Sequence, residues 1–282
     1  MQVILPVTFR ASLLALLLAF WGGCTSVVAQ ESAVAQENSS PLRDINGDSA
    51  VNIATFGDSL TFGIGEGIPE GVFLESLPEG TGPGGYPKRL ATLLGVTVGN
   101  GGLPGEEFIA SGVERFATSV LSRTSDFVIF LEGSNDAVKR ADRGVYARGL
   151  QKVINVARAD GREMVLVTIP PPVGVHAALA PFTSAFSTAV RELAATNDLL
   201  LADAERAWIS SCPDLENCRF YSIPEGLHPN NVGYTALAQL LAATFLGIDI
   251  FSPAGASELE AATGLAPGSV VIRPDVSVQG VS

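Results

Sequence analysis

The chain has 282 residues, 47% of them hydrophobic and 16% charged, with a formal net charge of -12. That composition excludes a disordered chain and leaves room for one large domain or two small ones. Its acidic residues are spread along the sequence, which argues against nucleic acid or an anionic membrane surface as a main partner.

The N-terminus reads as an export signal. Arg10 is its only charge, and the apolar core at 11–21 is too short to cross a bilayer as a helix. Two processing sites compete. Trp21-Gly22-Gly23-Cys24 resembles a bacterial lipobox, in which Cys24 would carry lipid, and Val27-Val28-Ala29 offers small residues for cleavage after Ala29. Either takes the chain out of the cytoplasm, and a lipid anchor at Cys24 is the one membrane contact expected. With Cys24 lipidated or removed, Cys212 and Cys218 remain. An even pair in an oxidising compartment points to a disulfide, worth roughly 2 kcal/mol for so short a loop. The alternative, a metal site, lacks an accompanying His or Cys cluster, and no metal is expected. Residues 30–49 are polar without apolar period and read as a flexible leader. The folded domain is expected over 50–248, with a C-terminal extension at 249–282.

Residues 51–56 are apolar and β-branched, then Gly57-Asp58-Ser59 breaks the run. This predicts a buried strand ending in a tight turn that carries a serine. A serine in a turn is ordinarily structural, but one at a strand end lies where a sheet presents its chemistry. A loop dense in Gly and Pro follows at 62–85 and is expected to border that serine. Residues 86–94 read as a helix stopped by Gly95, and 96–98 as a second strand. The glycine-rich turn 99–105 then opens a helix at Glu106. It lacks the Gly-Lys-Ser/Thr that a phosphate loop requires.

Residues 127–131 predict a third strand buried on both faces, ending in Glu132-Gly133-Ser134-Asn135-Asp136. Asn135 there is either a turn-former or an amide aimed at a developing oxyanion. A helix is expected over 141–159 and a fourth strand over 164–169, halted by Pro170-Pro171-Pro172. His176 follows in a loop, as a pocket wall or a plain surface residue. A helix over 181–196, a fifth strand over 199–202 ending at Asp203, the cysteine loop, Glu225-Gly-Leu-His228-Pro and a last amphipathic helix complete the order. Strands alternating with helices imply one parallel sheet covered on both faces. The tail offers 269–272 as an edge strand or, equally, as a loose terminus.

Gly57-Asp58-Ser59-Leu60 after the first strand, Gly105 after the second, Gly133-Ser134-Asn135-Asp136 after the third and His228-Pro near the end are similar to the ordered motifs of the SGNH hydrolases, also called the GDSL esterase/lipase family. The resemblance covers residues 51–246. It implies a flavodoxin-like three-layer αβα sandwich with a five-stranded parallel sheet, and ester hydrolysis without a cofactor. It makes Ser59 the nucleophile and His228 the general base, with the N–H groups of Ser59 and Gly105 and the Asn135 side chain as oxyanion hole. The family usually places an Asp three residues before the histidine; this chain has Glu225. A Ser–His–Glu triad is chemically sound, and a Ser–His dyad or Asp203 as the acid are the alternatives. The implied substrates are small-molecule acyl esters of short to medium length, with carbohydrate O-acetyl esters as the alternative. A non-catalytic binding protein on the same fold is the third reading, motivated by Glu225 alone. Oligomeric state is not legible.

Overall fold

The computed structural model describes residues 40–65, 85–121 and 124–273. The export segment with Cys24 and Ala29, and most of the loop expected at 62–85, lie outside the described residues. Strands β1 (Asn52–Gly57), β2 (Thr97–Gly99), β3 (Phe127–Leu131), β4 (Glu163–Val167) and β5 (Leu200–Ala202) form one sheet in the order β2-β1-β3-β4-β5. Every pairing is parallel, with Ile53 opposite Phe127 and Gly57 opposite Leu131. The five predicted strands are therefore present, and the topology is flavodoxin-like.

The helices are α1 (Ser59–Phe62), α2 (Gly85–Leu94), α3 (Val113–Leu121), α4 (Ser134–Val138), α5 (Arg143–Ala159), α6 (Ala180–Asn197), α7 (Ala204–Ser211), α8 (Asn231–Leu246) and α9 (Gly255–Thr263). A π-helical turn at Phe108–Gly112 leads into α3, so the helix expected at Glu106 begins two residues later. Aromatic contacts show why the sheet is covered twice. Phe127 of β3 meets Phe245 of α8 at 5.2 Å, and Phe56 of β1 meets Phe116 of α3 at 5.1 Å. The sheet is thus sandwiched by α2 and α8 on one side and α3, α5 and α6 on the other. The last helix, α8, expected to be amphipathic, is instead buried nearly all round, because sheet and neighbouring helices enclose it and it does not lie on a surface.

The compact unit continues past both ends of the domain expected at 50–248. The leader expected over 30–49 is held from Ser40 onward. The Ser40 hydroxyl and the Leu42 N–H both donate to Phe245 O, at 2.8 and 3.2 Å. The C-terminal extension belongs to the same compact unit as the rest. Its residues 269–272 form no edge strand. The buried Gln239 of α8 instead donates Nε2–H to Ser269 O (3.1 Å) and accepts from Val271 N (2.7 Å). Val270 and Ile272 are buried there, as part of the hydrophobic core.

Asp126 pins the leader to the sheet. Its Oδ1 accepts from Ile45 N (2.8 Å) and Asn46 N (3.0 Å), and its Oδ2 from Asn52 N (2.8 Å). Burial alone would raise this carboxyl, but the three backbone donors outweigh it and hold it below the usual range. A carboxyl depressed on folding adds stability that is full above its unfolded value, about 3.9, and lost as pH falls through the lower folded value. Replacing Asp126 with alanine is expected to cost about 3 kcal/mol in urea unfolding at pH 7. The gap from wild type should hold between pH 5 and 7 and shrink in acid. A gap independent of pH would mean that the ionised carboxylate is not what holds the segment.

Candidate active site

In this strand order the direction of strand addition reverses between β1 and β3, and the crevice at their carboxyl ends is where such sheets bind ligands. Both turns that frame it carry predicted site residues. Asp58 caps the single turn α1, its Oδ1 accepting from Leu60 N at 2.9 Å, and Ser59 is the first helical residue. The Ser59 N–H therefore belongs to a helix's first turn, whose donors have no intrahelical acceptor. Gly57 has no substitute here. A Cβ on it would lie 2.0 Å from Thr61 Oγ1 and 2.1 Å from Leu131 O. The other oxygen of Asp58 accepts from the Ser134 N–H (3.3 Å) and from the Ser134 hydroxyl. One buried carboxyl, raised chiefly by desolvation, thus ties the turn after β1 to the turn after β3.

The third component arrives on the segment before α8. Asn230 caps that helix, its Oδ1 accepting from Val232 N and Gly233 N, while its Nδ2 donates to Arg219 O and Tyr221 O. This fixes both ends of the turn that carries Glu225 and His228. Cys212 and Cys218 are disulfide-bonded, with Cα atoms 5.2 Å apart, and close the loop between α7 and this turn.

The three predicted side chains meet. His228 Nε2 lies 2.9 Å from Ser59 Oγ, and His228 Nδ1 lies 2.8 Å from Glu225 Oε1. Glu225 Oε2 accepts from Leu227 N (2.9 Å) and His228 N (2.8 Å). The extra methylene relative to aspartate is taken up by folding the carboxylate back over its own turn. Burial would raise this carboxyl, but the His228 ring, the backbone N–H groups of His228 and Leu227 and the His228 charge together hold it below the usual range. An ionised carboxylate only accepts, so Nδ1 carries the proton and Nε2 is left to accept from the Ser59 hydroxyl. Hydroxyl, imidazole and carboxylate linked in this order can move a proton off the hydroxyl as it attacks. Asp203, the alternative acid, is engaged elsewhere. It accepts from Arg191 (2.6 and 2.8 Å), from Thr168 Oγ1 and from Arg206 N at the cap of α7.

Asn135 stands in the first turn of α4, with Nδ2 donating to Glu106 O at 2.9 Å. That bond uses one of its two amide protons and sets the plane of the other. Gly105 is exposed on the turn just before, at φ +80°. Beneath that turn Arg115 of α3 gathers the strand ends. Its guanidinium donates to the buried Glu106 carboxylate, to Gly101 O (3.2 Å) and to Gly57 O (3.3 Å), and lies 4.1 Å from the Phe56 ring centroid. Asp136 accepts from Phe108 N (2.7 Å) and Ile109 N (2.9 Å), anchoring the same loop to α4. The sequence reading missed these supports. Asp58 and Asp136 lie within quoted motifs and could have been found there; Arg115, on a helix with no local signature, could not.

The expected loop at 62–85 leaves beside the site. Gly65 is against Pro229 and the His228 Cβ, and Ile64 O accepts from Tyr234 Oη at 2.6 Å. Residues 66–84 lie outside the described residues. A broad cleft elsewhere, lined by Arg43, Arg158, Arg162, Glu163 and Leu200, sits at the amino ends of β4 and β5. Its arginines pair with Glu163, Asn197 O and Asp160, and it holds no hydrolytic set. Among the described residues no cluster could hold a metal ion, and no helix is long and apolar enough to cross a membrane.

Comparison with known proteins agrees with this fold. The GDSL-like Lipase/Acylhydrolase family matches residues 55–236. A lipase/acylhydrolase from Enterococcus faecalis superposes with a TM-score of 0.55 at 24% identity, over 70% of this chain and 96% of that one. The acetylxylan esterase Axe2 from Geobacillus stearothermophilus gives 0.57 at 18% identity, over 69% and 94%. LAE5, an alpha/beta hydrolase from the metagenome of Lake Arreo, Spain, gives 0.57 at 19% identity, over 70% and 96%. These structural likenesses establish the fold. No curated protein matches the sequence.

Proposed function

The chain belongs to the GDSL-like lipase/acylhydrolase family, a family of ester-hydrolysing enzymes, and from that premise we propose that it is an exported serine esterase acting on short to medium acyl esters. The observation that carries the reading is the continuous chain from Ser59 Oγ through His228 to Glu225, at 2.9 and 2.8 Å. A non-catalytic binding protein would have no need of that alignment.

Ser59 Oγ attacks the ester carbonyl while His228 Nε2 takes its proton. The carbonyl oxygen becomes an oxyanion that receives the N–H groups of Ser59 and Gly105 and the free amide proton of Asn135. Each such donor is worth roughly 3 kcal/mol of barrier. Glu225 stabilises the imidazolium and keeps it oriented. On collapse the C–O bond breaks and His228 returns its proton to the leaving alkoxide, releasing the alcohol. Water then attacks the acyl-enzyme with His228 again as base, and the carboxylic acid leaves with Ser59 restored. The residues need no metal or cofactor for any of these steps. Export rests on Arg10 and the apolar core that follows it, and a disulfide suits that compartment.

Carbohydrate O-acetyl esters are the second reading. What favours it is the acetylxylan esterase among the structural neighbours, a likeness that carries the fold and not the substrate. Initial rates on p-nitrophenyl acetate, butyrate and octanoate, beside acetylated xylan, separate the two. We expect turnover of all three aryl esters, with butyrate or octanoate at least matching acetate in kcat/KM. Activity confined to acetyl groups, and highest on the polysaccharide, would replace the acyl-esterase reading with the deacetylase.

A further inference from the structure

The protein has two histidines, and both face one carboxylate. His176 Nε2 lies 3.5 Å from Glu225 Oε1, the oxygen that also receives His228 Nδ1. Neither motif nor spacing linked His176 to the site, because it is carried on a separate segment after β4. We propose that His176 is a positioning residue for the catalytic acid, a second imidazole that keeps the long Glu225 side chain turned toward His228. This rests on the serine esterase reading above.

A carboxylate has about four directions in which to accept. In Glu225 the backbone N–H groups of Leu227 and His228 take both directions of Oε2, and His228 Nδ1 takes one of Oε1. His176 faces the oxygen that has a direction left. At 3.5 Å the two atoms stand at the outer limit of a hydrogen bond, with the ring edge toward the carboxylate oxygen.

The backbone explains why His176 stands beside this carboxylate. Val173 N donates to Gly226 O at 2.8 Å, and Val175 N donates to Pro224 O at 2.9 Å. Tyr221 Oη donates to Pro171 O at 3.0 Å a few residues earlier. The segments carrying the two residues are thus clipped together on either side of the carboxylate. Their approach leaves no room for a side chain between them. A Cβ on Gly226 would lie 2.4 Å from Val173 O, and one on Gly174 would lie 2.2 Å from Pro224 O. His176 is therefore delivered to Glu225 by the fold, with about a third of its side chain still in contact with solvent.

The need for such a contact follows from the acid itself. Glutamate has one more rotatable bond than the aspartate usual in the family. Its carboxylate therefore has one more torsion by which to swing out of line with His228. The two backbone donors to Oε2 fix one oxygen; His176 limits rotation of the other.

Steady-state kinetics on p-nitrophenyl butyrate test this with His176→Ala and His176→Gln, each made in the wild-type and Glu225→Gln backgrounds. Ser59→Ala, run alongside, establishes independently that the serine reading stands. His176→Ala is expected to lower kcat about 3- to 10-fold with KM and the thermal midpoint unchanged, the scale of one weak charge-assisted contact. His176→Gln, which keeps an N–H donor, should recover most of that loss. In the Glu225→Gln background His176→Ala should have no further effect, because residues acting through one another are not additive. Unchanged kcat in His176→Ala, an equal loss in both backgrounds, or a change confined to KM would each overturn the assignment. If the alanine variant is destabilised, His176→Leu, which keeps bulk without a donor, decides in its place: a 3- to 10-fold loss of kcat that His176→Gln does not share supports the role, and normal kcat overturns it.

Discussion

Ser59→Ala is expected to lower kcat on p-nitrophenyl acetate by roughly 10⁴- to 10⁶-fold, while leaving the fold and its thermal midpoint almost unchanged. The size follows from how the site is assembled. Among the described residues the hydroxyl is the group bonded to His228 Nε2, so its removal leaves the imidazole without a proton to accept and the carbonyl without a nucleophile. The oxyanion donors survive, because the Ser59 N–H is set by α1 and the Asn135 amide by Glu106 O. Residual hydrolysis over water is therefore expected from those donors and from binding alone. Stability should change little because the hydroxyl's bond to His228 is a single net contact of about 1 kcal/mol. The Asp58 cap, which holds the turn, is untouched. Full activity in Ser59→Ala would end the serine mechanism and direct attention to another nucleophile.

The parts of this molecule that were legible in the sequence are those with local signals. Each strand is a short apolar run closed by Gly, Pro or Asp, and β3 at Phe127–Leu131 is buried along its whole length, as its unbroken apolar pattern requires. Ser59, Asn135 and His228 stand at strand or helix ends inside short motifs, so their convergence could be expected before any geometry was known. Four helices were missed for two reasons. Helices α1 and α4 are single turns that exist because Asp58 or Gly133 starts them after a strand, and their few residues carry no period. Helices α7 and α9 were read as part of a cysteine loop and a tail, since α7 begins at an Asp203 cap whose role is shared with Arg191. The supports beneath the site were hidden for a different reason. Arg115 serves Glu106, Gly101 and Gly57 at once, three points brought together only by the sheet. His176 reaches Glu225 across 49 positions of sequence through backbone pairing that no periodicity records. Local chemistry is written locally; the partners that orient it depend on tertiary contacts.

Glu225 carries the other large expectation, and its environment makes the direction unusually sharp. All three groups bonded to its carboxylate are donors: two backbone N–H groups on Oε2 and the His228 Nδ1–H on Oε1. Glutamine offers one acceptor and one NH₂. If its oxygen keeps the backbone donors, its NH₂ faces Nδ1 and forces the ring into the tautomer with the proton on Nε2, where it cannot accept from Ser59. If its oxygen serves Nδ1, the NH₂ is driven against two backbone N–H groups in a half-buried turn. Glu225→Gln is therefore expected to lose roughly 10²- to 10⁴-fold in kcat, through lost charge and a mispaired turn together. Glu225→Asp restores the charge but is one methylene short, so it can satisfy the backbone donors or the imidazole and not both. It should fall between wild type and Glu225→Gln. The wild-type carboxyl is held below the usual range by these same donors. It stays ionised as pH falls past the point where an ordinary glutamate, at about 4.3, would take up its proton. Its contribution to stability is accordingly full above that value and lost only as pH drops through the lower folded one. Rates of the three proteins measured at pH 7, with urea midpoints followed into acid, check both statements. Near-normal kcat in Glu225→Gln would reduce the machinery to a Ser59–His228 dyad, and the carboxylate would then serve the turn and not the chemistry.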